Sequence, residues 1–171
     1  MTVLFKITRD LLESVRRDLE RPHPFAAERV GFISCRVGRL PLNGITVLAH
    51  MYRAVEDNDY LRDRRFAAMM GPAAIRKAMQ QAYNGSFGMF HVHMHDHLGM
   101  PWFSPPDIQE AKKFVPDFWN VRPDMPHGTL VLSRDGLAGL CWLPGNREIV
   151  KISKISIVGA PLTNFWVIEN G

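Results

Sequence analysis

The chain has 171 residues, 46% of them hydrophobic and 22% charged, with a formal net charge of +4. That length suits one domain, 1–171, with a sizeable core, and the composition excludes a disordered or low-complexity chain. The positive charge is scattered or paired with acids, as in RDLLESVRRDLER, and forms no basic stripe interleaved with aromatics. Nucleic acid is therefore not an expected partner, whereas an acidic protein surface suits the charge.

The N-terminal MTVLFKITRDLLE lacks a long apolar stretch closing on a small-residue cleavage site, so it is not read as a signal peptide. No window approaches about 18 uncharged apolar residues, and no membrane span is expected. Cys35 and Cys141 sit in the apolar runs GFISCRVG and GLCWLPG, without the spacing of a disulfide framework or a CxxC pair. They read as small buried thiols, and the expected compartment is the reducing cytoplasm.

In chain order, residues 8–21 carry Leu11, Leu12, Val15 and Leu19 at helical spacing behind Thr8, a candidate N-cap, and Pro22 and Pro24 end the helix. Residues 28–38 and 44–55 read as two strands of a hairpin turned by RLPLNG. Residues 56–71 have no clear period. Residues 71–85 predict a helix, with Pro72 in its first turn and Gly85 at its end.

FGMFHVHMH then reads as a strand, followed by a helix starting near Ser104. Pro105 and Pro106 occupy its first turn, Ile108, Ala111 and Phe114 its apolar stripe, and Pro116 stops it. Residues 128–145 predict two strands about an RDG turn, 151–162 a last strand, and FWVIEN (165–170) a further one. Hairpins mixed with a few helices define an α+β class: a mixed, curved sheet flanked by helices.

The chemistry concentrates in FHVHMHDHLGMPWFSPPD. His91, His93, His95 and His97 fall at every second position. On a strand, such residues share a face, and neighbours two apart can share a metal ion. A TIM-barrel hydrolase also uses HxH, but it needs roughly 200 residues or more and eight strand–helix units. A cupin-like barrel needs more strands than this chain supplies. After the histidines, Gly99 and Pro101 make a loop and Ser104 opens a helix. Asp107, near the first turn, can reach back toward the strand end as a third ligand, leaving one position open as a catalytic zinc requires. Three pairs remain open on spacing: His91 with His93, His93 with His95, or His95 with His97.

The phrase H-M-H-D, seven residues, S-P-P-D resembles the signature of the JAMM, or MPN-plus, zinc metalloproteases, including the prokaryotic JAB-domain members. The family usually has proline where Asp96 stands, and here the gap from His95 to Ser104 is one residue longer than its commonest form. Upstream, Glu28 stands three residues before Gly31, as the family's glutamate stands before a glycine and a hydrophobic run. The likeness covers roughly residues 8–160. It implies a JAB/MPN arrangement, related to that of cytidine deaminases, and one catalytic zinc ion on His93, His95 and Asp107. It further implies Glu28 as the general base and Ser104 as a hydrogen-bond donor to the oxyanion. His91 and His97 are neighbours of the metal or touch substrate. His127 is read as structural, and His23 and His50 carry no assignment.

The resemblance also implies a substrate: the bond after the C-terminal glycine of a ubiquitin-like protein, whose activating enzymes become associated partners. The tail is expected to add to a strand edge, with residues 54–72 and 143–151 as groove walls and Met69, Met70 and Met100 as apolar contacts. Two other classes stand beside this one. One is a zinc peptidase or amidase of small substrates, and the other is a non-catalytic MPN-type scaffold.

Overall fold

A computed structural model describes residues 1–41, 43–63, 67–145 and 147–166. Among these residues the architecture is mixed α+β, with few helices and a strongly curled sheet of nine strands. Spatial order is β7-β6-β5-β4-β2-β3-β1-β8-β9, with β1 Thr2–Thr8, β2 Val30–Leu40, β3 Gly44–Ala54, β4 Gly88–Met94, β5 His127–Leu132, β6 Leu137–Trp142, β7 Ile149–Lys151, β8 Lys154–Val158 and β9 Thr163–Trp166. β1 runs parallel to β3 and β8, and β4 parallel to β5; the remaining pairs are antiparallel. Among the described residues no helix is long and apolar enough to cross a membrane.

The curl follows from one short connection. β7 pairs with β6 at one end of the sheet, while β8 pairs with β1 near the other. Only residues 152 and 153 separate them. The Ile152 N–H donates to the Gly139 carbonyl, and the next N–H, that of Ser153, donates to the Val3 carbonyl. Two residues bridge strands distant in sheet order only if the sheet bends back on itself.

Strand alternation sorts the side chains onto two faces. Helix α1 (Arg9–Leu19), capped by the Thr8 hydroxyl accepting from the Leu11 N–H, lays Leu12, Val15 and Leu19 against Val3, Phe5, Phe90 and Val92. Helix α2 (Pro72–Gly85) lays Ala74, Ala78 and Ala82 on the other face, against Val30, Phe32 and Met89. Along β4, Phe90 and Val92 therefore belong to the α1 side. Met89, His91 and His93 belong to the side of α2 and of helix α3 (Pro105–Phe114).

Four details differ from the sequence reading. β1 was not anticipated, although Val3, Phe5 and Ile7 alternate into the core. Gly85 does end α2, at a place where a Cβ would meet the Phe87 ring at 1.9 Å, but the left-handed cap falls on Ser86, at φ 52°. Pro116 does not end the coiling. α3 ends at Phe114, and a 3-10 segment runs on over Val115–Asn120, where a proline near the start loses no needed N–H. The single strand expected over 151–162 is divided between β7 and β8. Of the strand expected over 165–170, Phe165 and Trp166 lie in β9, and 167–170 fall outside the described residues.

Candidate metal centre

His93 sits near the end of β4, and His95 follows it by one step of the alternation. The His95 N–H donates to the Leu132 carbonyl at 2.9 Å, which extends the β4–β5 ladder beyond Met94 and keeps His95 in register with His93. Asp107 arrives from the first turn of α3. Ser104 caps that helix: its hydroxyl accepts from the Asp107 N–H at 3.3 Å, and its own N–H donates to Asp107 Oδ2 at 2.7 Å. This reciprocal capping turns the carboxylate back toward the strand end.

One nitrogen of each imidazole and one Asp107 oxygen lie within 4.8 Å of one another. Asp107 Oδ2 is 3.5 Å from His93 Nε2 and 3.5 Å from His95 Nε2. Ligands arranged tetrahedrally around an ion at about 2.0–2.1 Å stand about 3.4 Å apart. His93 is buried, and among the described residues neither ring nitrogen has a hydrogen-bond partner, which suits a nitrogen reserved for a metal. Two nitrogens and one carboxylate oxygen are also a donor set that zinc accepts. The three residues fit the ion that the resemblance implies.

Electrostatics favour the ligand forms. Burial disfavours a charged Asp107 carboxyl, but the nearness of His93 and the hydrogen bond from the Ser104 N–H outweigh it and hold the group well below the usual carboxylate range. Burial, reinforced by His93, lowers His95 and so favours the neutral imidazole, the form that binds a metal.

Glu28 stands on the segment joining α1 to β2, two residues before β2 rather than at its opening as expected. That segment is pinned. The Ala27 and Glu28 N–H groups share the Ala67 carbonyl, and the buried Arg29 guanidinium donates to the Arg21 and Pro22 carbonyls and to Asp57 at 2.7 Å. The Val30 N–H donates to the Tyr60 hydroxyl. Gly31 is required because a Cβ there would stand 2.4 Å from the Tyr52 ring. Burial pushes the Glu28 carboxyl up; His93 opposes that shift and Asp107 adds to it.

Glu28, His91, His93, His95, Ser104 and Asp107 all line one cleft of about 420 Å³. Its apolar wall is formed by Val30, Ala68, Met69, Met70, Ile75 and Phe114, of which Val30, Ile75 and Phe114 were not anticipated. Part of the segment 54–72 thus does line it, and Met69 and Met70 face it. No residue of 143–151 lines it among those described, and β7 lies at a sheet edge. Thr129 also lines the cleft; its signal was only its place beside His91 in the parallel register of β4 and β5.

The other histidines separate by surroundings. His91 is buried, with Nδ1 at 3.3 Å from the Thr129 hydroxyl and ring contacts to Phe32 and Phe114. Burial, then His93, depresses it to about 3. His97 stacks on Trp102 with 4.6 Å between ring centroids, and Nδ1 lies 2.8 Å from the Leu98 carbonyl; it lies outside the cleft. His127 is fully buried: Nδ1 accepts from the Met89 N–H at 3.1 Å, and Nε2 is 3.0 Å from the Arg122 carbonyl, a structural role. His23 accepts from the Phe25 and Ala26 N–H groups. Asp96, where the resembling family has proline, pairs with Arg134 at 2.5 Å.

No family model matches the chain, and no curated protein matches it. Among solved structures, the chain is similar to the STIL N-terminal domain of Trichoplax adhaerens, at 12% identity with a TM-score of 0.40, over 81% of this chain and 40% of that one. The chain thus spans less than half the length of that structure.

Proposed function

We propose that the protein is a metal-dependent hydrolase of amide bonds, a JAMM-type peptidase or isopeptidase with zinc held by His93, His95 and Asp107. The observation that carries the reading is the convergence of those three ligand atoms beside Glu28 in one cleft. Zinc bound there supplies a Lewis acid and an activated water. Glu28 holds the proton taken from the attacking water and returns it to the leaving amine, a role suited to a carboxyl raised by partial burial. The Ser104 oxygen accepts one bond from the Asp107 N–H, and its proton is chemically able to donate to the carbonyl oxygen as charge develops there.

Two substrate classes divide the reading. The ubiquitin-like tail ending in glycine, with the JAB/MPN fold name, rests on the resemblance of Glu28, HxH and SPPD. Small peptides are favoured by a different observation, the largely apolar wall beside the ligands. The non-catalytic scaffold is the weaker alternative, because a scaffold has no use for a complete ligand set.

The test is metal analysis of the purified chain, followed by hydrolysis assays with ubiquitin-like fusions and with short peptides. One equivalent of zinc is expected, and Glu28→Gln is expected to keep the zinc while losing about 10²–10⁴-fold in turnover. Zinc content well below one equivalent after loading, or full activity in Glu28→Gln, overturns the assignment.

A further inference from the structure

The cleft is much larger than the metal centre needs. Val30 comes from the start of β2, Met69 and Met70 from the segment before α2, Ile75 from the first turns of α2, and Phe114 from the end of α3. Together they form an apolar wall beside His93 and Asp107. A glycine at the reacting carbonyl leaves most of about 420 Å³ unfilled, and clefts of that size ordinarily enclose groups of many heavy atoms. Methionine pairs also adapt their shape to varied apolar partners.

A second observation points to a ligand here. His91 is 8% exposed, and its Nε2 is buried with no hydrogen-bond partner among the described residues. Its Nδ1 lies by Thr129, while Phe32 and Phe114 present rings rather than donors or acceptors to it. A buried polar nitrogen without a partner is costly, and an amide group arriving in the cleft relieves that cost.

We propose that the wall formed by Val30, Met69, Met70, Ile75 and Phe114 is a specificity pocket for a bulky apolar side chain on the substrate residue whose carbonyl reacts, with His91 as the polar anchor for that residue's backbone. This rests on the hydrolase reading for the position of the carbonyl. Within that reading it selects peptides with leucine-sized residues over tails ending in glycine.

The test uses the full chain in two forms. Zinc-loaded protein is titrated calorimetrically with N-acetylglycine hydroxamate and N-acetylleucine hydroxamate. Metal-free protein labelled at the methionine methyls is titrated with N-acetylleucine amide and followed by NMR. The leucine hydroxamate is expected to bind about 10–100-fold tighter, the ratio given by burying one leucine side chain. N-acetylleucine amide is expected to shift the Met69 and Met70 methyl signals and the His91 ring signals. Met69→Gln and, independently, Ile75→Asp are expected to remove most of the leucine preference.

Equal affinities for the two hydroxamates overturn the pocket and leave the metal reading standing. If neither hydroxamate binds but the two methyl signals move with the amide, the pocket stands and the metal reading falls. Unmoved Met69 and Met70 signals overturn the pocket whatever the hydroxamates do.

Discussion

Asp107 joins the helix start and the candidate metal centre through one oxygen. Its Oδ2 accepts from the Ser104 N–H at 2.7 Å and lies 3.5 Å from both histidine nitrogens. Asp107→Asn separates the two functions, because an amide oxygen still accepts from Ser104 but brings no charge to a cation. Zinc affinity is expected to fall at least 100-fold in equilibrium dialysis, while helix and fold survive with a loss of no more than about 1 kcal/mol in urea unfolding. The spacing of Ser104 and Asp107 made the cap readable in the sequence, because a capping box is a local pattern. The pairing of histidines was not readable from spacing. His91 and His93 share a face as fully as His93 and His95 do, and what distinguishes them is how far along β4 the Asp107 oxygen reaches, a matter of where α3 docks.

At the scale of elements, the turn between β5 and β6 holds the loop that follows the histidines. Asp135 Oδ1 accepts from the Gly99 N–H at 2.7 Å, the Ser133 hydroxyl donates to the Gly99 carbonyl at 2.6 Å, and the Arg134 N–H donates to the His97 carbonyl at 2.9 Å. Gly136 has no room for a side chain, since a Cβ would meet Pro101, Gly99 and Ser133 within 2.8 Å. Asp135→Ala is expected to speed amide exchange at Gly99 about ten-fold at a cost of about 1 kcal/mol in stability, as read by hydrogen exchange and urea unfolding. The RDG turn was legible, but its grip on residues 97–101 was not, because nothing in the local sequence of either segment names the other. β1 escaped notice for the same reason. Its alternating residues are few, and its strand character is decided by parallel partners, β3 and β8, far along the chain.

At the scale of the whole molecule, His127 links stability to pH. In the fold it is a neutral imidazole with hydrogen on Nε2, facing the Arg122 carbonyl, and a lone pair on Nδ1, facing the Met89 N–H. A second proton would set two N–H groups against each other, and burial depresses the group to about 4. The unfolded chain takes that proton near pH 6.5 and the folded chain does not. Stability is therefore full above about pH 6.5 and declines as pH falls toward 4, by up to about 3 kcal/mol from this residue. Urea midpoints measured with a chelator present are expected to drop between pH 7.5 and 4.5, and the drop is expected to be smaller in His127→Asn. An unchanged drop in that variant removes His127 as its source.

The guanidinium of Arg16 in α1 donates to the carbonyls of Ser133, Arg134 and Gly136, the turn that in turn grips the Gly99 loop. This sets a timetable for synthesis. Every proposed ligand has left the ribosome once residue 107 has emerged, yet the Leu132 carbonyl that receives the His95 N–H, and the turn that steadies the loop, appear only later. A nascent chain halted between α3 and β5 holds all three ligands without the framework that brings them together. A metal ion proposed for these residues would thus be held only after β5 and the following turn have emerged, once α1 has found a turn more than a hundred residues downstream.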